Sequence, residues 1–213
     1  MRLAAWIAFV GILSTLSFAQ RASGERPPED AVYLWSTAVD TILTFATILA
    51  IVLLIAIGLP KREFFALRRP RSWWRAIGLA FGVFVAVSIL AYTLDPLLHA
   101  GEEQGLTPAR WESSHAAPFA ANFVAFALIG PVVEELTFRG AGFSLFQRYG
   151  RGVAVVAIGV AFGLWHGIWE ALPVLVALGM GLAYLRSRTN SVYPAIALHA
   201  SFNALALALA VTV

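Results

Sequence analysis

The sequence predicts an all-α protein, a polytopic bundle of about six to eight transmembrane helices in one compact domain. Of its 213 residues, 60% are hydrophobic and 13% are charged, whereas soluble domains are roughly 45–50% apolar and 25% charged. The chain also divides into seven apolar runs separated by charged loops. Most of these runs are long enough to cross a bilayer, and in a bilayer the backbone must satisfy its own hydrogen bonds, which favours helices.

The first apolar run, residues 3–19, carries no charge and follows Arg2. It is short for a span, and its last three residues have the small-x-small pattern of a signal-peptide cleavage site. Residues 1–19 therefore fit either a cleaved signal peptide or a first transmembrane helix, and either one places the next residues on the outer side. Residues 20–31 contain two consecutive prolines and mixed charges, and are interpreted as a loop.

The second apolar run, residues 41–59, is predicted to go inward, because a strongly basic loop follows it. This basic loop, residues 61–75, holds six Lys and Arg side chains against one acidic side chain. The positive-inside rule places such a loop in the cytoplasm, and Trp73 and Trp74 at its end are typical of the headgroup level. We interpret the basic loop as a determinant of topology and an anchor to anionic lipid.

The remaining apolar runs alternate in direction across the membrane. An acidic loop, residues 95–115, is predicted to lie outside. The predicted spans after the basic loop are 76–92, 116–146, 152–169, 171–184 and 192–213. The run 171–184 is short for a full crossing and also fits a partly re-entrant segment. This arrangement places twelve of the fifteen Lys and Arg residues inside, as expected for a multi-pass protein of the cell membrane.

Two adjacent carboxylates lie within the long run 116–146. Glu135 and Arg139 are one helical turn apart on one face and are expected to pair, because an unpaired charge is costly in lipid. Glu134 points about 100° further round the helix and is left as the unpaired acid. A buried carboxylate of this kind approaches the pKa range of a general base. Gly130-Pro131 just before it is expected to open the helix ladder.

Later runs carry buried-looking polar residues at helical spacing. Phe162 and His166 share one helix face, and so do His199 and Asn203. Counted from the inner ends of their helices, Glu134, His166 and Asn203 fall near the middle of a core about 30 Å thick, and His199 lies shallower by the same count. Residues at matched depth on neighbouring helices can meet. The set would supply a base, a proton shuttle and donors for an oxyanion.

The motifs resemble the three-part signature of the CPBP family of intramembrane proteases. The signature reads Glu134-Glu135-x-x-x-Arg139, Phe162-x-x-x-His166 and His199-x-x-x-Asn203. This family includes the CAAX prenyl endopeptidases of the Rce1 type and the bacterial Abi proteins linked to bacteriocin immunity. The resemblance covers residues 116–203. It divides the chain into residues 1–19, a two-span region 20–115 with the basic loop, and a CPBP/Abi-like catalytic core at 116–213.

The resemblance implies a role for each motif residue. Glu134 would be the general base, with His166 its partner in holding a water. His199 and Asn203 would stabilise the oxyanion. The supporting residues would be Glu135 and Arg139, which pair, and Phe162, which packs against the site.

The cofactor stays open between none and zinc. The family is often labelled metalloprotease, and one carboxylate with two imidazoles, Glu134, His166 and His199, is a donor set that suits zinc. The chain has no His-Glu-x-x-His pair, and a water activated by glutamate and histidine needs no metal. The absence of cysteine excludes disulfides and thiol nucleophiles.

The sequence therefore predicts an intramembrane endopeptidase, a hydrolase whose partners are the lipid bilayer and a membrane protein or lipidated peptide substrate. No nucleic-acid partner is expected, because no basic motif with interleaved aromatics occurs. One alternative is a proton- or cation-coupled transporter, although the chain has no repeated halves. Another alternative is a non-catalytic bacteriocin-immunity membrane protein.

Overall fold

The computed structural model describes residues 1–24, 30–98 and 111–211. Every regular element in these three segments is helical, which confirms the predicted all-α class. The helices are α1 Arg2–Ala22, α2 Trp35–Ile55, α3 Lys61–Phe64, α4 Trp73–Leu98, α5 Ser113–Tyr149, α6 Arg151–Trp165, α7 Leu172–Thr189 and α8 Tyr193–Ala210. Most of the outer loop predicted at 95–115 lies outside the described residues.

Five of these helices are long and apolar enough to cross a membrane, namely α1, α2, α4, α5 and α8. Helix α6 is apolar but has only 15 residues. Helix α7 has Arg186 and Arg188 in its last turn. The chain is therefore a multi-pass membrane protein, built from these five helices with α6 and α7 packed among them.

The predicted spans differ from the observed helices by one to several residues at their ends, and two of these differences have a clear physical reason. Helix α2 begins at Trp35, before the predicted run 41–59, and includes Asp40, whose side chain is exposed. An exposed charge costs no burial energy, so it does not end a helix. Helix α6 ends at Trp165 rather than at Trp169, because Gly167 takes a φ of +65° that a right-handed helix cannot contain.

Helices α6 and α7 pack backbone against backbone at two glycines. A Cβ on Gly179 would lie 2.7 Å from the carbonyl oxygen of Gly159, and a Cβ on Gly159 would lie 2.8 Å from the backbone nitrogen of Met180. Both distances are shorter than real side chains allow, so only glycine permits this approach. The close contact brings the α6 side chain Phe162 against the middle of α7, at Gly179.

The substitution Gly159→Ala tests this packing. We expect it to destabilise the protein by about 1–3 kcal/mol, because the new methyl group must push α7 away. Gly152→Ala is the matched control on the same helix, since a Cβ there meets nothing within 4 Å. Thermal unfolding in detergent should show a lower melting temperature for the first variant and an equal or higher one for the control. Equal melting temperatures for both variants would contradict the packing.

Helix α1 lies against α5 through one buried tryptophan. Trp6 is 2% exposed, its indole nitrogen donates to the carbonyl oxygen of Thr137 at 2.9 Å, and its ring packs edge-on against Phe138 and Phe146. The two sequence alternatives for residues 1–19, a cleaved signal peptide and a first transmembrane helix, both stay predictions. The intact mass of the purified chain measures whether residues 2–22 are retained.

Candidate active site

The site begins in the part of α5 that contains two π-helical segments. Its segments Ala125–Ile129 and Leu136–Gly142 are π-helical, and they flank the α-helical turn Gly130–Glu135. Gly130-Pro131 was expected to open the helix ladder. The helix instead continues through the proline with wider turns on both sides, because a π turn shifts the hydrogen-bond register without breaking the chain's helical path. Such turns are frequent at functional sites.

The predicted ion pair forms between Glu135, the last residue of the α-helical turn, and Arg139 in the second π segment. Arg139 Nη1 lies 2.6 Å from Glu135 Oε1, and neither side chain is exposed. Arg139 Nη2 also donates to the carbonyl oxygen of Gly179 in α7 at 2.8 Å. The pair thus joins α5 to α7 as well as neutralising the buried carboxylate.

Glu135 has a second partner that the sequence did not indicate. Its Oε1 lies 3.0 Å from Nδ1 of His199 in α8. Because the carboxylate of an ion pair accepts, Nδ1 carries the proton and donates. Glu135 therefore fixes the orientation of the imidazole, and His199 Nε2 faces Glu134 Oε2 at 3.9 Å.

His166 is oriented by its own helix. Its Nδ1 lies 2.8 Å from the carbonyl oxygen of Phe162, and a carbonyl can only accept, so Nδ1 is the protonated nitrogen of the neutral ring. His166 Nε2 then faces Glu134 Oε2 at 3.8 Å. Its side chain is 23% exposed, against 11% for Glu134, so the site opens on the His166 side.

Glu134 is thus faced by two imidazoles from two other helices. Its Oε2 is buried and has no hydrogen-bond partner among the described residues. The distances of 3.8 and 3.9 Å to the two Nε2 atoms are too long for direct hydrogen bonds. A water between these three atoms can donate hydrogen bonds of about 2.8 Å to Glu134 Oε2 and to the Nε2 atom of one histidine, in the way buried polar atoms are usually satisfied. Because a water has two O–H groups, the other Nε2 atom contacts it only when that nitrogen is protonated and donates.

Phe162 packs at the centre of the site, as predicted. Its ring centroid lies 4.7 Å from that of His166 and 5.4 Å from that of His199. The guanidinium carbon of Arg139 lies 4.3 Å from the same centroid. One fully buried ring therefore holds three of the motif side chains in position.

Asn203 is placed differently from the other three predicted catalytic residues. It lies one helical turn after His199 in α8, and its Nδ2 donates to the carbonyl oxygen of Phe126 at 2.9 Å. Phe126 belongs to the first π segment of α5. An amide nitrogen has two N–H groups, so one remains after this bond is made.

The donors Glu134, His166 and His199 are spaced more widely than a tetrahedral zinc site requires. Glu134 Oε2 lies 3.8 and 3.9 Å from the two histidine Nε2 atoms, whereas a zinc with bonds of about 2.0–2.1 Å needs donor atoms about 3.4 Å apart. In the part of the chain that the structure describes, no three His, Cys, Asp or Glu side chains are arranged to hold a metal ion.

Arg186 is a supporting residue that the sequence reasoning missed. It was counted as an inner-face charge, but it is 2% exposed. Its Nε donates to the carbonyl oxygen of Arg139 at 3.2 Å, and its guanidinium lies over the Phe143 ring. The sequence did contain a signal for this role. Arg186 lies seven residues after Gly179, and two helical turns place both residues on the same face of α7.

Comparison with known proteins agrees with this layout. Residues 116–205 match the family model described as type II CAAX prenyl endopeptidase Rce1-like. The matched segment starts in α5 and ends in α8, and so contains all seven motif residues. Neither a curated protein nor a solved structure matches the chain.

Proposed function

We propose that this chain, whose residues 116–205 match the Rce1-like family model, is a CAAX-type intramembrane protease of the CPBP family, and that a water activated by Glu134 and His166 is its nucleophile. The proposed reaction is hydrolysis of peptide bonds in membrane-associated proteins or lipidated peptides. The proposed location is the cell membrane, with the basic loop on the cytoplasmic side.

The observation that supports this proposal best is the environment of one oxygen atom. Glu134 Oε2 is buried without a partner, and the Nε2 atoms of two histidines face it at 3.8 and 3.9 Å. Three helices, α5, α6 and α8, converge on this atom. A purely structural carboxylate would be paired, as its neighbour Glu135 is.

The proposed first step is attack by the held water. His166 donates through Nδ1 to its own helix, so its Nε2 lone pair accepts a hydrogen bond from the water and orients it. Glu134 accepts a proton as the water oxygen bonds to the scissile carbonyl carbon. In the second step the C–N bond breaks, and the proton on Glu134 passes to the leaving amine nitrogen.

The proposed oxyanion donors are His199 and Asn203. His199 Nδ1–H already donates to Glu135, so donation from Nε2 requires a second proton on the ring. The carboxylate of Glu135 stabilises that imidazolium. The second N–H of Asn203 provides the other donor. These steps need no metal. We therefore propose a glutamate-type protease, in which a carboxylate activates the water.

Asn203→Ala tests the oxyanion assignment. Removing one donor is expected to lower kcat by roughly 10²–10³, with a much smaller change in KM, because the oxyanion exists only in the transition state. Ser201→Ala is the control on the same helix, since Ser201 is exposed and bonds only to Ala197 of its own helix. Equal kcat values for both variants would remove Asn203 from the oxyanion site.

Activity itself is tested on the reconstituted full chain. Pairs of membrane-derived peptides, identical except for a lipid chain on one member, are incubated with the protein, and the products are read by mass spectrometry. We expect cleavage that a chelator does not abolish. Complete loss of cleavage with chelator and its recovery with zinc would overturn the assignment to a glutamate-type protease. Proton uptake by vesicles without any cleavage would favour the transporter instead.

A further inference from the structure

A second cavity lies at the basic end of the protein, away from the candidate active site. Its volume is about 400 Å³, which is within the range of small-ligand sites. It forms where the basic loop meets the beginnings of α4 and α6 and the end of α7. Four arginines line this basic pocket: Arg71, Arg75, Arg151 and Arg188.

The pocket is assembled from distant parts of the chain. Arg68 Nε donates to the carbonyl oxygen of Asn190 at 2.9 Å, and the backbone nitrogen of Val192 donates to the carbonyl oxygen of Ala66 at 3.1 Å. These bonds fix the basic loop against the turn between α7 and α8. The arginines are therefore brought together by folding and not only by their closeness in sequence.

The charges in the pocket are not balanced by the protein. No acidic residue lines it. Among the described residues, none of the four guanidinium groups has a carboxylate within ion-pair distance. The beginnings of α4 and α6 add the positive ends of two helix dipoles. Like charges held together in this way repel, and a bound anion would offset the repulsion energy among the four arginines.

The depth of the pocket in the membrane identifies the kind of anion. Pro70, Ala76 and Leu79 form its apolar wall. On α4 beside it, Trp74 is 84% exposed and Phe81 is 67% exposed. Tryptophan prefers the headgroup level, and an exposed Phe one to two turns further along belongs in the hydrocarbon. The pocket thus lies at the boundary where lipid phosphates are found.

We propose that the basic pocket binds the phosphate of an anionic phospholipid, with the acyl chains along the exposed face of α4. Basic pockets between membrane helices on the cytoplasmic side suit such headgroups. Guanidinium groups match phosphate oxygens in pairs. The apolar wall beside the arginines fits a lipid better than a free phosphate compound, which has no acyl chain to lie against it.

Native mass spectrometry of the full chain in detergent tests the site, with phosphatidylglycerol, phosphatidylcholine and glycerol 3-phosphate as the three probes. The pocket variant is Arg75→Gln/Arg151→Gln. The matched control, Arg62→Gln/Arg69→Gln, also removes two exposed charges from the basic end, but neither of its residues lines the pocket. Melting temperatures of both variants verify that they fold.

Phosphatidylglycerol should bind the wild type and the control tightly. Because each basic residue near anionic lipid contributes about 1 kcal/mol, or roughly fivefold, the pocket variant should bind it about 25-fold more weakly. If the control variant lost as much affinity for phosphatidylglycerol, the lipid would be attracted by the surface charge in general, and the pocket would not be its site. Binding of glycerol 3-phosphate as tight as that of the lipid would overturn the lipid assignment in favour of a free phosphate compound. Equal affinity for phosphatidylcholine would overturn the preference for anionic lipid.

Discussion

Glu134→Gln is expected to lower kcat by roughly 10²–10⁴, the contribution of a positioned general base. Glutamine has the size of glutamate, but its amide cannot accept a proton from the attacking water. Glu134 Oε2 has no hydrogen-bond partner among the described residues, so the substitution breaks no bond that holds the fold. Initial rates on a cleaved peptide, measured in proteoliposomes, give the change in kcat.

The matched control for Glu134 is another acid that lies outside the site. Glu170→Gln removes one carboxylate from the loop after α6, beyond the three converging helices. We expect this control to keep kcat within about twofold, because surface changes away from a site are nearly neutral. Melting temperatures of both variants should match that of the wild type. If Glu134→Gln kept wild-type activity, the assignment of the base would be wrong.

Arg139→Leu is expected to destabilise the protein by about 3–5 kcal/mol, because it leaves the carboxylate of Glu135 buried without its cation. The pair is fully buried. The same substitution removes the bond from Arg139 to the carbonyl oxygen of Gly179 and so loosens α5 from α7. Thermal unfolding in detergent, or protease resistance where unfolding is irreversible, measures the loss.

The double variant Glu135→Leu/Arg139→Leu separates stability from function. Replacing both partners of a buried pair by apolar residues is often neutral, so it should recover most of the melting temperature lost in Arg139→Leu. Activity should not recover, because His199 Nδ1 then has no carboxylate to orient it. Recovery of both stability and activity would show that Glu135 has no role at His199.

The parts of the site that follow helical spacing could be predicted from the sequence. Glu135 with Arg139, Phe162 with His166, and His199 with Asn203 each share a helix face at i and i+4, and hydropathy alone locates their helices. The contact between Glu135 and His199 spans 64 residues. Such a contact depends on how α8 packs against α5, which no local pattern specifies.

Two further features depend on packing rather than on residue pattern. The π segments of α5 flank the turn where α2 packs closely against it, as the approach of Phe45 to Gly130 shows, and helix propensity does not encode such packing. The amide of Asn203 donates to the carbonyl oxygen of Phe126, a residue of the first π segment. Sequence spacing placed Asn203 on the correct face, but it did not identify this partner.

Hydrolysis in ¹⁸O-labelled water tests the central claim most directly. The wild type and Glu134→Gln are reconstituted with one cleavable membrane peptide, and the masses of the products are measured by mass spectrometry. If a water held between Glu134, His166 and His199 attacks the peptide bond, each new C-terminal carboxyl from the wild type carries one ¹⁸O, and Glu134→Gln yields almost no product. Labelled product from Glu134→Gln at the wild-type rate would contradict the account.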